Sequence, residues 1–129
     1  MFGEWKIRGI RGATTVEDNT YEEIEKATLE MLNNIVEQNQ INIKDISHVV
    51  FTLTHDLNAG FPAKAARVHL GWTEIPMICT QEIPVPDSLE KCIRVLIVVN
   101  TSKEQSEIRH VYLNRAKSLR PDIVSKDRY

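Results

Sequence analysis

The segment CIRVLIVVN, residues 92–100, restricts the possible folds of this chain more than any other. Its content of Val, Ile and Leu predicts the most buried strand of a sheet. The unbroken apolar run inside it, residues 95–99, is far shorter than the ~20 residues that a membrane-spanning helix needs. Arg94 lies within this strand, where a charge is costly unless it meets an anion or emerges at a sheet edge. A solvated edge residue and a structural ion pair are the alternatives to an anion site.

Two helices have recognisable boundaries. Thr20 and Glu23 have the spacing of a capping box, and apolar residues then recur on one face, which predicts an amphipathic helix over roughly residues 21–38. Pro62 and Gly71 have the positions of a first helical residue and of a residue just past a helix end, so they predict a second, short helix between them.

The other predicted elements are shorter. The spacing of Ser102 and Gln105 predicts another capped helical turn. The first strand is expected to stop at Arg11. Alternating or β-branched patterns predict four strands besides the central one, at residues 5–10, 49–53, 75–81 and 108–113.

Size, charge and cysteine content exclude several classes of protein. A chain of 129 residues fits one domain, residues 1–129. The net charge of −2 does not suggest the basic field that non-specific nucleic-acid binding needs. Residues 1–60 carry five basic and ten acidic side chains, so an anion site is expected to draw mainly on the second half. Two cysteines and no apolar signal segment at the start predict a reduced, cytoplasmic protein.

The candidate functional residues do not include a nucleophile or a set of metal ligands. No serine-hydrolase, zinc-protease, Walker or Cys-x-x-Cys motif is present, and the four histidines are scattered, so neither a metal nor a cofactor is expected. Arginines from different elements, with the carboxylate of Glu82 and the phenol of Tyr112, instead favour a pocket for a compact polyanion. Taken singly, each of these residues has an ordinary structural or exposed alternative.

Six segments in unbroken order resemble the monofunctional bacterial chorismate mutases of the trimeric pseudo-α/β-barrel class. These segments are IRGIRGATTV (7–16), FPAKAAR (61–67), CTQE (79–82), KCIRV (91–95), IRHVYL (108–113) and LRPD (119–122). The resemblance implies an α+β fold in which a mixed β-sheet carries one long helix and short helical turns. It also implies a homotrimer, a trimeric pseudo-α/β barrel with active sites between subunits. The tail 123–129 does not resemble the family and is expected to be loose.

The activity implied by the resemblance is the one-step Claisen rearrangement of chorismate to prephenate, toward phenylalanine and tyrosine. This reaction transfers no proton and needs no metal or cofactor. The resemblance gives Arg94 the main catalytic role, beside the ether oxygen. Arg11 and Tyr112 would hold the side-chain carboxylate, and Glu82 would accept the ring hydroxyl with Cys79 beside it.

Other site residues follow from the same resemblance. Phe61, Ala63, Lys64 and Arg67 would come from the neighbouring subunit, with Arg67 binding the ring carboxylate. Leu119 and Arg120 would close over the mouth of the pocket. Two positions depart from the family pattern, because Ile78 replaces a threonine and His55 replaces a proline.

Two other functions are compatible with parts of the sequence. One is a non-catalytic sensor of the same trimeric build that binds an acid of the aromatic pathway. The other is a small RNA-binding α/β module, which the acidic first half and the lack of aromatic-rich strand motifs disfavour. The expected partners are therefore chorismate and further copies of the chain, with no nucleic acid and no membrane.

Overall fold

A computed structural model describes residues 4–122 as a five-stranded mixed sheet with two helices on one face. The elements are β1 (Lys6–Thr15), α1 (Tyr21–Asn39), β2 (Ile46–Leu53), α2 (Pro62–Leu70), β3 (Met77–Gln81), β4 (Cys92–Thr101) and β5 (Val111–Tyr112). The strand order is β3-β2-β4-β1-β5. β4 is antiparallel to β1 and β2, whereas β3 is parallel to β2 and β5 is parallel to β1. The predicted α+β class is confirmed.

Both predicted helices are present, with nearly the predicted bounds. The Thr20 hydroxyl accepts a hydrogen bond from the Glu23 N–H at 3.1 Å, so α1 begins as its capping pattern predicts. α1 packs closely on β1 at Gly12, which has no Cβ atom. A Cβ atom there would lie 2.6 Å from the Ile35 side chain. α2 begins at Pro62 and ends before Gly71, whose positive φ of 71° suits a glycine C-cap.

The two faces of the sheet differ in what covers them. Side chains along β4 alternate between the faces, and Ile93, Val95 and Ile97 are buried beneath the helices in the main core. On the opposite face, apolar side chains are left open to solvent: Leu96 is 41% exposed, Ile78 is 63% exposed and Ile7 is 65% exposed. The described chain thus has one covered and one largely uncovered sheet face.

Five sequence predictions of element bounds were wrong, and one of them is the second strand, because β2 begins at Ile46 rather than at residue 49. β1 does not stop at Arg11 but pairs with β4 as far as Thr15. β3 begins at Met77 because Pro76 has no N–H to join the ladder. The turn Gln105–Glu107 is capped by Glu104 together with Glu107, not by Ser102.

The fifth strand is the last of these errors, since only Val111–Tyr112 forms it. The Arg109 N–H donates instead to the Asn39 side chain at 2.8 Å, so it is not available for a hydrogen bond to a neighbouring strand.

No helix within residues 4–122 is long and apolar enough to cross a bilayer. The prediction for the tail 123–129 concerns residues outside those described.

Candidate functional site

Arg94 forms a bidentate ion pair with Glu82 on the uncovered face of the sheet. The distances are 2.8 Å from Nε to Oε2 and 2.9 Å from Nη2 to Oε1. Glu82 directly follows β3, and its N–H donates to the Leu53 carbonyl at 2.9 Å, which fixes the start of the loop. The Thr52 hydroxyl donates to Oε2 of the same carboxylate. Because β4 lies in the middle of the sheet, Arg94 meets an anion rather than emerging at an edge.

This pair stays ionised, and its arginine is about half exposed. The hydrogen bonds from Arg94 hold the pKa of Glu82 below its ordinary value, and the same carboxylate raises the pKa of Arg94. The side chain of Arg94 is 47% exposed and that of Glu82 is 18% exposed. The pair uses only two N–H groups of the guanidinium, so its other donors can bind a ligand.

Strand register places further candidate residues beside the pair. Arg94 lies opposite Thr52 on one side and Ala13 on the other, and Ala13 is paired with Tyr112. The phenol of Tyr112 lies near enough to Arg94 to affect its pKa, across the small side chain of Ala13. Arg11 is one row away on the same face, opposite Leu96. Four different strands or strand ends therefore bring Arg94, Glu82, Tyr112 and Arg11 to one face.

The segment after the last 3₁₀ turn, Asn114–Ser118, borders this group. Leu119 packs on the small cluster formed by Ala13, Tyr112 and Ala116. Arg120 donates to the Asp122 carboxylate at 3.1 and 3.0 Å, and these bonds are the main cause that raises its pKa. Tyr112 also acts electrostatically on Arg120, so Leu119 and Arg120 lie at the Tyr112 end of the group.

A second group of predicted residues lies elsewhere, around a cavity of about 690 Å³. Phe61, Lys64 and Cys79 line this cavity, and Phe61 is 67% exposed. Burial raises the pKa of the Cys79 thiol, which also has a hydrogen bond with the backbone of Ala63. Arg67 is one turn beyond Lys64 on α2 and is exposed. Among the described residues, its guanidinium has no ion-pair partner.

The structure does not bring Cys79 to Glu82. Cys79 is paired with the buried Phe51, so its side chain is on the helix side of the sheet, whereas Thr80 and Glu82 are on the other side. The reason is strand geometry, because residues three apart point to opposite faces.

The two groups of predicted residues are here named the sheet-face group and the cavity group. The sheet-face group comprises Arg11, Glu82, Arg94, Tyr112, Leu119 and Arg120. The cavity group comprises Phe61, Ala63, Lys64, Arg67 and Cys79.

Two residues of the site were missed by sequence reasoning. Thr52 hydrogen bonds to Glu82 and sits opposite Arg94, and the alternation of its strand could have placed it on that face. Tyr21 lines the cavity, but its position as the first residue of α1 carries no such signal. Among residues 4–122, no three side chains of His, Cys, Asp or Glu form a group that could hold a metal ion.

Comparison with known proteins gives consistent results. Residues 7–123 match the family model described as chorismate mutase type I. The chain is 49% identical to the Bacillus subtilis (strain 168) chorismate mutase AroH, over 91% of this chain and 92% of that protein. It is 48% identical to the Thermus thermophilus chorismate mutase AroH, over 92% and 98%. A solved chorismate mutase from Clostridium thermocellum is 53% identical, with a TM-score of 0.83, over 85% of this chain and 97% of that one.

Proposed function

The chain belongs to the chorismate mutase type I family, and from this premise we propose which residues bind and transform the substrate. The family assignment confirms the predicted activity, the isomerisation of chorismate to prephenate in aromatic amino-acid biosynthesis. In this Claisen rearrangement a carbon–oxygen bond breaks while a carbon–carbon bond forms. Negative charge grows on the ether oxygen, and catalysis requires a group that stabilises this charge.

Arg94 is the residue proposed to stabilise the growing charge. The observation that supports this role is its bidentate pair with Glu82, which holds the guanidinium on the open sheet face with donors still available. A cation fixed in advance needs no reorganisation during the reaction, so its attraction for the oxyanion acts fully at the transition state. The carboxylate oxygens of Glu82 can also accept a hydrogen bond from the ring hydroxyl of the substrate.

The rest of the sheet-face group is proposed to bind the enolpyruvyl carboxylate. Arg11 is exposed, and its backbone N–H donates to His110 Nδ1 at 2.9 Å, which fixes the strand at this position. Tyr112 is held on Ala13, between Arg94 and the mouth residues Leu119 and Arg120. Holding one end of the substrate in this way favours the conformation in which its two reacting carbons meet.

The cavity group is proposed to complete the pocket from a neighbouring copy of the chain. Cys79 and α2 lie on the helix side of the sheet and the sheet-face group lies on its uncovered side, so we infer that the two groups of one chain do not share a small-molecule ligand. Contact between two different surfaces is heterologous, and such contacts form a ring when the rotation that relates successive copies closes. The open apolar face around Leu96 and Ile78 is suited to burial in this assembly. The trimeric number follows from the family resemblance.

In this arrangement Cys79 belongs to the same half of the pocket as Lys64. Its contact with the substrate then reaches the ring from the neighbour's side rather than from beside Glu82 of the same chain. The structure has no disulfide at either cysteine. Unpaired cysteines are in keeping with the cytoplasmic location that we also propose.

Arg67→Ala is expected to raise KM for chorismate by roughly 10- to 100-fold with kcat changed much less. The reason is that a charge-assisted hydrogen bond to a carboxylate contributes about 1.5–3 kcal/mol to binding. Loss of chorismate absorbance measures both constants. Lys44→Ala is the control, because Lys44 is an exposed cation outside both groups. A change confined to kcat would contradict the binding role of Arg67.

The rate is expected to be nearly constant between about pH 6 and 9. No proton is transferred, and the depressed pKa of Glu82 and the raised pKa of Arg94 keep this pair charged over that range. Because the folded-state pKa of Glu82 is lowered, its pairing stabilises the fold above the ordinary carboxyl pKa and is lost as the pH falls through the folded-state value. Profiles of kcat and kcat/KM test this, and a bell-shaped kcat profile centred near neutrality would contradict it.

A further inference from the structure

Tyr21 contacts the cavity group from the first turn of α1. Its half-buried ring lines the same cavity as Phe61 and Lys64. The Lys64 ammonium lies over this ring, with Nζ 5.2 Å from its centroid. An aromatic face attracts a cation at this distance, and the attraction restrains a long side chain that would otherwise sample many rotamers.

The Tyr21 ring occupies the space beside Gly60 where any other residue would have its Cβ atom. A Cβ atom at Gly60 would lie 2.5 Å from Cδ1 and 3.2 Å from Cε1 of Tyr21, far inside the contact distance of carbon atoms. The backbone of Gly60 is not in the left-handed region, so its conformation does not require glycine. The close approach of the Tyr21 ring, however, does require glycine at this position. The loop before α2 is therefore shaped around Tyr21.

The tyrosine hydroxyl fixes the orientation of the ring. It donates a hydrogen bond to Glu25, one turn along α1, and this bond is the main cause that lowers the pKa of that carboxyl. His69 on α2 contacts the same carboxylate, with 3.0 Å between Nε2 and Oε2. Glu25 also interacts electrostatically with Lys64. The ring and the Glu25 carboxylate thus attract the ammonium together, and they tie α1 to α2.

Asn19 holds the adjoining loop in the same place. Its side-chain oxygen accepts hydrogen bonds from the N–H groups of Asn58 and Ala59, both at 3.1 Å. Its side-chain N–H donates to the Asn58 side chain at 2.8 Å. The loop that leads into Phe61 therefore cannot move away from Tyr21 without breaking these bonds.

We propose that Tyr21 is a positioning residue for the reaction, which holds the Lys64 ammonium in the orientation that binds a substrate carboxylate. This inference rests on the proposal above that the cavity group, which includes Lys64, completes the substrate pocket of a neighbouring chain. The aromatic ring is the part of Tyr21 that acts on the ammonium, and Glu25 and Gly60 set where the ring lies. Tyr21 itself makes no contact with the substrate in this account.

A double-mutant cycle on KM tests the proposal. Tyr21→Leu is expected to raise KM about two- to five-fold with little change in kcat, which matches the strength of an exposed cation–π contact. Tyr21→Phe keeps the ring and loses only the hydroxyl that orients it, so KM is expected to rise less than in Tyr21→Leu. Lys64→Ala raises KM further, and adding Tyr21→Leu to Lys64→Ala is expected to produce no additional increase. Circular dichroism and thermal unfolding verify that each variant is folded.

Three outcomes would overturn the inference. If Tyr21→Leu raises KM by the same factor in the Lys64→Ala background, Tyr21 acts on the substrate or on the fold and not through Lys64. If Tyr21→Phe is as impaired as Tyr21→Leu, the ring is not the active part. If Lys64→Ala leaves KM unchanged, the premise fails instead, and this result is visible without any Tyr21 variant.

Gly60→Ala is a second route to the same test. Its added methyl group displaces the ring without removing it, so KM is expected to rise in the parent and not in Lys64→Ala. This variant keeps the inference testable if Tyr21→Leu fails to fold. An equal rise in both backgrounds would count against the proposal.

Discussion

Arg94→Ala is expected to lower kcat by about 10²- to 10³-fold while the protein stays folded. Loss of one donor to a developing oxyanion typically has an effect of this size. A unit cation ~4 Å from a unit anion contributes about 4 kcal/mol at an effective dielectric of ~20, which is sufficient to account for it. The substitution on β4 removes a half-exposed side chain and leaves the buried face of the strand unchanged. Steady-state assays on chorismate give kcat, and circular dichroism reports the fold.

Two companion variants separate the loss of the cation from its side effects. Arg94→Lys keeps a positive charge and is expected to retain more activity than Arg94→Ala. Removing the guanidinium also leaves the Glu82 carboxylate unpaired beside the substrate, where it would repel the growing charge. Glu82→Gln in the Arg94→Ala background removes that repulsion and is expected to restore little activity. Turnover by Arg94→Ala within a few-fold of the parent would refute the assigned role.

Co-assembly of two impaired variants is expected to restore about a third of the parent kcat/KM in the mixed trimers. Arg94→Ala and Arg67→Ala each damage one of the two groups. In rings that contain both kinds of chain, some pockets combine an intact sheet-face group from one chain with an intact cavity group from its neighbour. In a trimer that contains both kinds of chain, one pocket of the three is intact on both sides, whichever chain is present twice. Co-expression with two different affinity tags isolates the mixed assemblies, and their mass gives the number of chains.

A matched pair of variants provides the control. Arg94→Ala and Arg11→Ala both fall in the sheet-face group, so every pocket in a mixed assembly takes one damaged group. No recovery is expected for that pair. If the first pair also fails to recover in verified mixed assemblies, the two groups do not combine across chains. The proposed arrangement of the pocket would then be wrong.

The helices were predictable from local patterns because their signals are local. Thr20 caps α1 through its own third neighbour, and Pro62 and Gly71 bound α2 through the conformations that they favour. The fifth strand was not predictable in this way. Its first residues are held by the side chain of Asn39, 70 positions earlier in the chain, and nothing in residues 108–113 indicates that partner.

The features of the candidate site also divide into those that sequence patterns predict and those that depend on the folded structure. An anion for Arg94 follows from its place in an apolar strand, and the resemblance supplied the identity of Glu82. The separation of Cys79 from Glu82 was available from strand alternation alone. The contact between Tyr21 and Lys64 was not, because it depends on how closely α1 approaches α2 in space.

The Arg94–Glu82 pair has a consequence for selectivity. A guanidinium with its own resident counter-ion forms a pair that carries almost no net charge before the reaction starts. The pair by itself therefore attracts inorganic phosphate and other abundant cellular anions only weakly, and it does not hold the uncharged ether of the resting substrate too tightly. The cation instead attracts most strongly the short-lived species whose ether oxygen has become negative. Lowering the energy of that species increases the rate.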